Sequence, residues 1–325
     1  MVNLVQRDVS TARAQVAPRS FGPGDLLWDL AGEFRSNLIF LMPTLIQTMH
    51  PIIGDALMRR PVATTDPLGR LQRSVDSIHL WVYGGEAAHA ERRRLIALHS
   101  TIKGRDIDGR EHSALKPEVW AWVPLSAYPA FLTQTRVFGE PLSASDVERL
   151  YDEVKNLARI LGVREQHIPA TTEDYWAYYQ QMVDERLINH PYVHDVLRAG
   201  QRFPTPPGLP RFLYRLWKNP IGPRLGAASV WLVHGTFPPE MRRILEIPWS
   251  ARDERKFLLA GQLIRRISRF VPERWRYPTT PRLARAIARA EATGQSTIEL
   301  QAALDRQLAL IDSRNTKVLP EERAS

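Results

Sequence analysis

The sequence predicts an all-α fold. Apolar residues recur at three- and four-residue spacing almost throughout, alternating β-branched runs bounded by hairpin turns are missing, and helix-capping residues stand where that periodicity starts and stops. In chain order the pattern gives helices at 24–48, 66–84, 86–103, 117–138, 143–162, 172–187, 191–199, 211–217, 223–235, 250–270 and 282–311. Asp66 caps a helix with Pro67 at its first position, Ser143 with Asp146 opens another, and Gly104 and Gly162 stand where helices should end. The stretch Phe203 to Pro210 cannot be helical, because proline lacks an amide donor and fixes φ, so it reads as a surface loop within one domain. Arg105 to Lys116, with the turn signal Asp108-Gly109, reads as a short exposed excursion between helices.

A chain of 325 residues that is 44% hydrophobic can bury a sizeable core. We expect a flexible N-terminal arm at 1–20, one helical domain at 21–312 and a frayed tail at 313–325. The chain has no cysteine, which excludes disulfides, zinc–thiolate sites, iron–sulfur clusters and thiol nucleophiles and leaves His, Asp, Glu or Tyr to hold any metal. The first eighteen residues lack the apolar core of a secretory signal, which makes a cytoplasmic location the default expectation. The most apolar stretch, Leu38 to Met58, is interrupted by Pro43, Gln47, His50, Pro51 and Asp55 and reads as a buried helix and turn, not a membrane span.

The net charge of +9 is unevenly placed: residues 242–289 hold thirteen Arg/Lys against four Asp/Glu, and the rest of the chain is neutral. Such a segment is either a solvated helical surface or a face for nucleic acid, anionic lipid or an acidic partner.

Few of the standard catalytic patterns are present. There is no His-Glu-x-x-His, no Gly-x-Ser-x-Gly elbow, no phosphate-binding loop and no Gly-x-Gly-x-x-Gly, so zinc hydrolase, serine hydrolase, NTPase and dinucleotide readings have no support. His190 and His194 are spaced i, i+4, but Pro191 lies between them and no acidic residue stands at a ligand position, which favours structural roles. His99 projects from a helix whose Leu95, Ile96 and Ile102 share its face. It is either a satisfied core histidine or an axial ligand to a flat apolar cofactor. Arg70, Arg73 and Ser74 lie at i, i+3 and i+4, beside a stripe of Leu71, Val75, Ile78 and Val82. They are either the edge of an amphipathic helix or a cofactor contact.

Several segments in order carry a family resemblance. They are Gly32-Glu33, Leu38 to Leu41 and Gln47 to Pro51, then Asp66 to Ser74 and Arg94 to Gly104, then Trp120 to Val123, Phe138 to Ser143, Tyr151 to Glu153, Leu161-Gly162, Leu245 to Ser250 and Asp253 to Arg255. Over Phe21 to Ala290 the chain resembles the haem-oxygenase family that includes latex-clearing protein and the mycophenolate-pathway oxygenase. The resemblance implies a globin-like helical core and a b-type haem whose iron is held by His99, which matches the histidine of an Arg-x4-His-x2-Val/Ile-Arg/Lys helix. It implies a distal side formed by Arg70, Arg73 and Ser74, matching an Arg-x-x-Lys/Arg-Thr motif. Serine replaces the usual threonine. Rubber-cleaving relatives place an iron-coordinating lysine where this chain has Arg73, whose guanidinium offers donors but no lone pair. Pro124 stands where many relatives carry histidine, and with Pro129 it should kink or break the helix, so substrate shape is not inherited.

The resemblance therefore implies a haem b-dependent oxygenase acting on an apolar, isoprenoid-like substrate, with dioxygen or peroxide bound opposite His99. In this reading Arg70 pairs with a propionate or joins Arg73 and Ser74 in stabilising developing negative charge. Peripheral membrane contact fits an apolar substrate, and nucleic acid is not expected. Two other readings remain: a non-catalytic haem carrier or gas sensor, and a cofactor-free helical protein that binds anionic lipid or nucleic acid through 242–289.

Overall fold

The computed structural model describes residues 14–59, 67–105, 109, 111–201, 205–206 and 208–316. The fold is all-α, and it begins with short pieces: α1 (Leu26–Leu30), α2 (Ser36–Ile39), α3 (Leu41–Thr48) and α4 (Pro51–Met58). Two longer helices follow, α5 (Pro67–Tyr83) and α6 (Ala87–Ser100), then a small antiparallel hairpin of β1 (Lys103–Arg105) and β2 (Glu111–Ser113). The middle holds α7 (Pro117–Leu125), α8 (Ala127–Thr133) with a π-helical turn at Gln134–Phe138, α9 (Ala144–Ile160), α10 (Thr172–Glu185) and α11 (Pro191–Gly200). The last part holds α12 (Gly222–Thr236), α13 (Pro239–Ile244), α14 (Ala251–Ser268), α15 (Glu273–Arg276), α16 (Thr279–Ala292) and α17 (Ile298–Thr316). Among the described residues no helix is long and apolar enough to cross a membrane.

Local chemistry explains many of the boundaries. Ser143 accepts from the Asp146 amide at 3.2 Å to start α9, and reciprocal capping boxes start α10 (Thr171, Asp174) and α14 (Ser250, Asp253). Gly162 ends α9 at φ +81°. His50 and His190 each precede a proline and cap α4 and α11, their Nδ1 accepting the amide two residues on at 3.3 and 3.2 Å. Glu153, buried in α9, accepts the Leu26 and Leu27 amides at 2.9 and 2.7 Å and so caps α1. The Asp66 cap and Asp108 of the expected turn lie outside the described residues.

Four departures from the expected elements have physical causes. The single helix expected at 24–48 is three, and at the first break Gly32 lets Pro281 and the Tyr83 hydroxyl come so close that a Cβ would sit 2.5 Å from each. The helix expected at 117–138 is cut at Ser126, between Pro124 and Pro129. Pro129 cannot bond the Leu125 carbonyl, which accepts instead from the Tyr175 hydroxyl at 3.1 Å, while Gln47 Nε2 donates to Val123 O and Ser126 Oγ at 3.0 Å each. Gly104 does not end a helix; α6 stops at Ser100, and Gly104 pairs with His112 in the hairpin. The helix expected at 282–311 is the antiparallel pair α16 and α17, turned at Gly294 with φ +68°. At the ends, Arg19 is tied to Asn156 by two hydrogen bonds, Phe21 is buried, and α17 runs to Thr316.

Candidate functional site

A cavity of about 300 Å3 lies among α3, α4, α5, α6, α7 and α8. Ligand sites usually run from roughly 300 to 1,000 Å3, with mainly apolar walls and a few placed polar groups. Here the walls are largely Leu, Ile, Val, Phe, Trp and Ala, and the polar side chains that reach them include Arg70, Ser74, His99 and Gln47.

His99 lies in the last turn of α6, one turn after Leu95, and both line the cavity with Ile102. Its Nδ1 is 2.7 Å from the Leu95 carbonyl oxygen. A carbonyl only accepts, so Nδ1 donates the proton and the lone pair of the neutral ring sits on Nε2. Trp120 meets the imidazole edge-on, 5.1 Å between centroids and 70° between planes, and its own indole N–H donates to Leu161 O at 3.0 Å. The ring is therefore fixed in tautomer by its own helix and flanked by an indole held by the end of α9.

Arg70 and Ser74, one turn apart on α5, also line the cavity. Arg70 donates to the Tyr192 hydroxyl at 2.6 Å, with its guanidinium carbon 6.0 Å from that ring's centroid. Ser74 Oγ donates to the Arg70 carbonyl at 3.2 Å. Arg73 is half-buried and does not line the cavity; it sits roughly 60° round the helix from Arg70. The structure therefore brings His99, Arg70 and Ser74 to one cavity and leaves Arg73 beside it.

Behind the site a buried carboxylate joins the two helices that carry these residues. Glu91 of α6 accepts from Ser77 Oγ of α5 at 2.6 Å and from Arg94 Nε and an Arg94 terminal nitrogen at 2.7 Å each. The arginine that opens the Arg94-to-Lys103 pattern thus holds Glu91. Sequence reasoning passed over Glu91, Gln47 and Tyr192 as site components; only Gln47 stood in a quoted segment.

Three other histidines have structural surroundings. His190 Nε2 lies 3.3 Å from Asp55, and His194, half-buried, has its Nε2 2.5 Å from Asn189 Oδ1. Burial alone pushes the pKa of His79 down to about 4. Among the described residues no three or more His, Asp or Glu side chains gather in a metal-holding group. A single imidazole in an apolar wall is the protein ligand set used for iron whose equatorial donors come from a macrocycle.

The uncharacterized protein Rv2237 of Mycobacterium tuberculosis is 22% identical over 235 residues, covering 71% of this chain and 88% of that protein. The uncharacterized protein Mb2261 of Mycobacterium bovis matches to the same extent. No solved structure matches significantly. Residues 28–266, which carry all of the cavity lining except Leu27, match the family model described as "ER-bound oxygenase mpaB/B'/Rubber oxygenase, catalytic domain", and the chain belongs to that oxygenase family.

Proposed function

We propose that this protein is a haem b-dependent oxygenase acting on an apolar substrate, with His99 as the iron ligand. The observation that carries the reading is the bond from His99 Nδ1 to the Leu95 carbonyl, at the wall of an apolar cavity. Such a bond fixes the tautomer of a ligating imidazole and raises its basicity. When bound, the haem supplies the redox chemistry that couples dioxygen or peroxide to oxidation of the substrate.

The chain's own residues supply the rest. His99 holds its Nε2 lone pair as the ligand, with Trp120 limiting ring rotation. Arg70, steadied by Tyr192, offers guanidinium donors either to a propionate or to negative charge that develops during oxidation. Ser74 adds a hydroxyl on the same face, and Arg73 stands next to both. Ile53, Val75, Ile78, Val123 and Phe131 keep water out and favour an apolar, isoprenoid-like substrate.

Purified protein incubated with hemin should give a one-histidine haem spectrum, and with reductant or peroxide it should oxidise an isoprenoid alkene. A stable haem complex without product supports a carrier or sensor instead. Failure to take up haem overturns the reading altogether.

A further inference from the structure

Helix α14 has two unlike faces. The inner one is fixed by packing: Phe257 is 1% exposed, Ser268 is buried, and Gly261 approaches Val137 so closely that a Cβ would lie 2.5 Å from Val137 Cγ1 and 2.7 Å from its carbonyl oxygen. With that side set, the outer face is set too. Leu259, Leu263 and Ile267 follow one another there at four-residue spacing, 63%, 58% and 54% exposed, and the chain continues to Phe270 at 85% and Trp275 at 72%. Scattered exposed apolar residues are ordinary on protein surfaces, whereas a row of three ending near two exposed aromatics marks an interaction face.

The cations of the same region divide into two groups. Arg265 and Arg269 both reach Glu140, Arg276 pairs with Glu33, Arg285 with Asp29 and Arg289 with Glu273. Arg252, Arg255 and Arg266 are exposed and make no ion pair among the described residues. Helical spacing puts all three within roughly 60° of the Leu259–Leu263 row. Arg274 is exposed beside Trp275, its guanidinium carbon 5.8 Å from that ring's centroid.

We propose that this outer face of α14, continued through Phe270 and Trp275, docks the protein on an anionic lipid bilayer. Leu259, Leu263, Ile267 and Phe270 enter the boundary between headgroups and acyl chains, Trp275 sits at headgroup level, and the three arginines meet lipid phosphates. A second copy of the chain is a poorer occupant, because self-complementary pairing would set these unpaired arginines against like charges. Nucleic acid would use the arginines and leave the apolar row in water. The inference does not depend on the haem reading.

The test is co-sedimentation of the full chain with vesicles of phosphatidylcholine alone and of phosphatidylcholine mixed with phosphatidylglycerol, at low and high salt. Binding should require the anionic lipid and weaken steeply with salt. Each basic side chain near such a surface contributes roughly a factor of five, so Arg252→Glu, Arg255→Glu and Arg266→Glu together should weaken binding at least on the order of 100-fold. Leu263→Ser with Phe270→Ser should also abolish stable binding, and Trp275→Phe should remove a vesicle-induced blue shift in fluorescence. All are exposed positions, and circular dichroism of the variants should match wild type. Equal binding to neutral vesicles, no loss in either multiple variant, or a solution dimer that Leu263→Ser with Phe270→Ser dissociates would overturn the proposal.

Discussion

Helix α5 has a front and a back that differ in one respect. Its front presents Arg70, Ser74, Val75, Ile78 and Trp81 to the cavity. Its back carries Asp76, His79 and Tyr83, all buried, where α16 and α17 pack against it. Asp76 meets Arg314 of α17 at 3.0 Å and accepts from Gln72 at 3.0 Å, and the Tyr83 hydroxyl donates to Trp28 O at 2.6 Å. Burial raises the carboxyl pKa of Asp76 and lowers the imidazole pKa of His79, so both groups are biased toward their neutral forms. Polar groups at helical spacing occur on both sides, but the cavity lies in front, where several small residues (Ala56, Ala127 and Ala130) form part of the walls. A perturbed pKa on this helix therefore points to the packed side and not to the candidate chemistry.

That contrast can be broken most severely at the cavity. His99→Ala should leave helical content unchanged while haem no longer survives gel filtration, read from the ratio of haem to protein absorbance; full retention with an unaltered spectrum would return His99 to the core. Next, Arg70→Ala should lower turnover per bound haem about 10²–10³-fold if its donors act on developing charge. Arg73→Ala should lower it less, because Arg73 does not line the cavity. The reverse order would mean that the loaded protein uses a different arc of α5.

The back should respond in stability and not in turnover. His79 is neutral when folded, and its pKa of about 4 lies below the ordinary imidazole value of about 6.5. As pH falls through that window the unfolded chain takes up a proton that the folded one refuses, so folding weakens, by at most about 3 kcal/mol. His79→Phe should flatten this acid-side slope in urea titrations. Arg314→Ala should have the smallest effect, about 1 kcal/mol, because Arg314 is 49% exposed while Asp76 is not. If either back-face substitution instead changed turnover without changing stability, the division between the two faces would be wrong.

What could be read in advance follows a physical line. Helices α5, α6, α9 and α10 were legible because their apolar spacing is local, and the placing of Arg70 and Ser74 on one helix face and of His99 on the next helix was legible for the same reason. The break at Gly32 was not, since its cause is contact with Tyr83 and Pro281, far along the chain. The turn at Gly294 had a local signal, a glycine in the left-handed region, masked by apolar spacing that resumes after it. The Arg70–Tyr192 bond links residues 122 positions apart, and no periodicity reports such a pair.

The packing of α16 and α17 on α5 bears on how this protein can be cut. The stretch matched to the oxygenase domain stops at residue 266, yet the helices that cover the back of its cavity-bearing helix lie at 279–316. A fragment trimmed to the matched boundary would bare Asp76, His79 and Tyr83 to water and cut α14 two residues before its end. Homology here marks out a shorter piece than the unit that folds, and an expression fragment should keep the chain to at least Thr316.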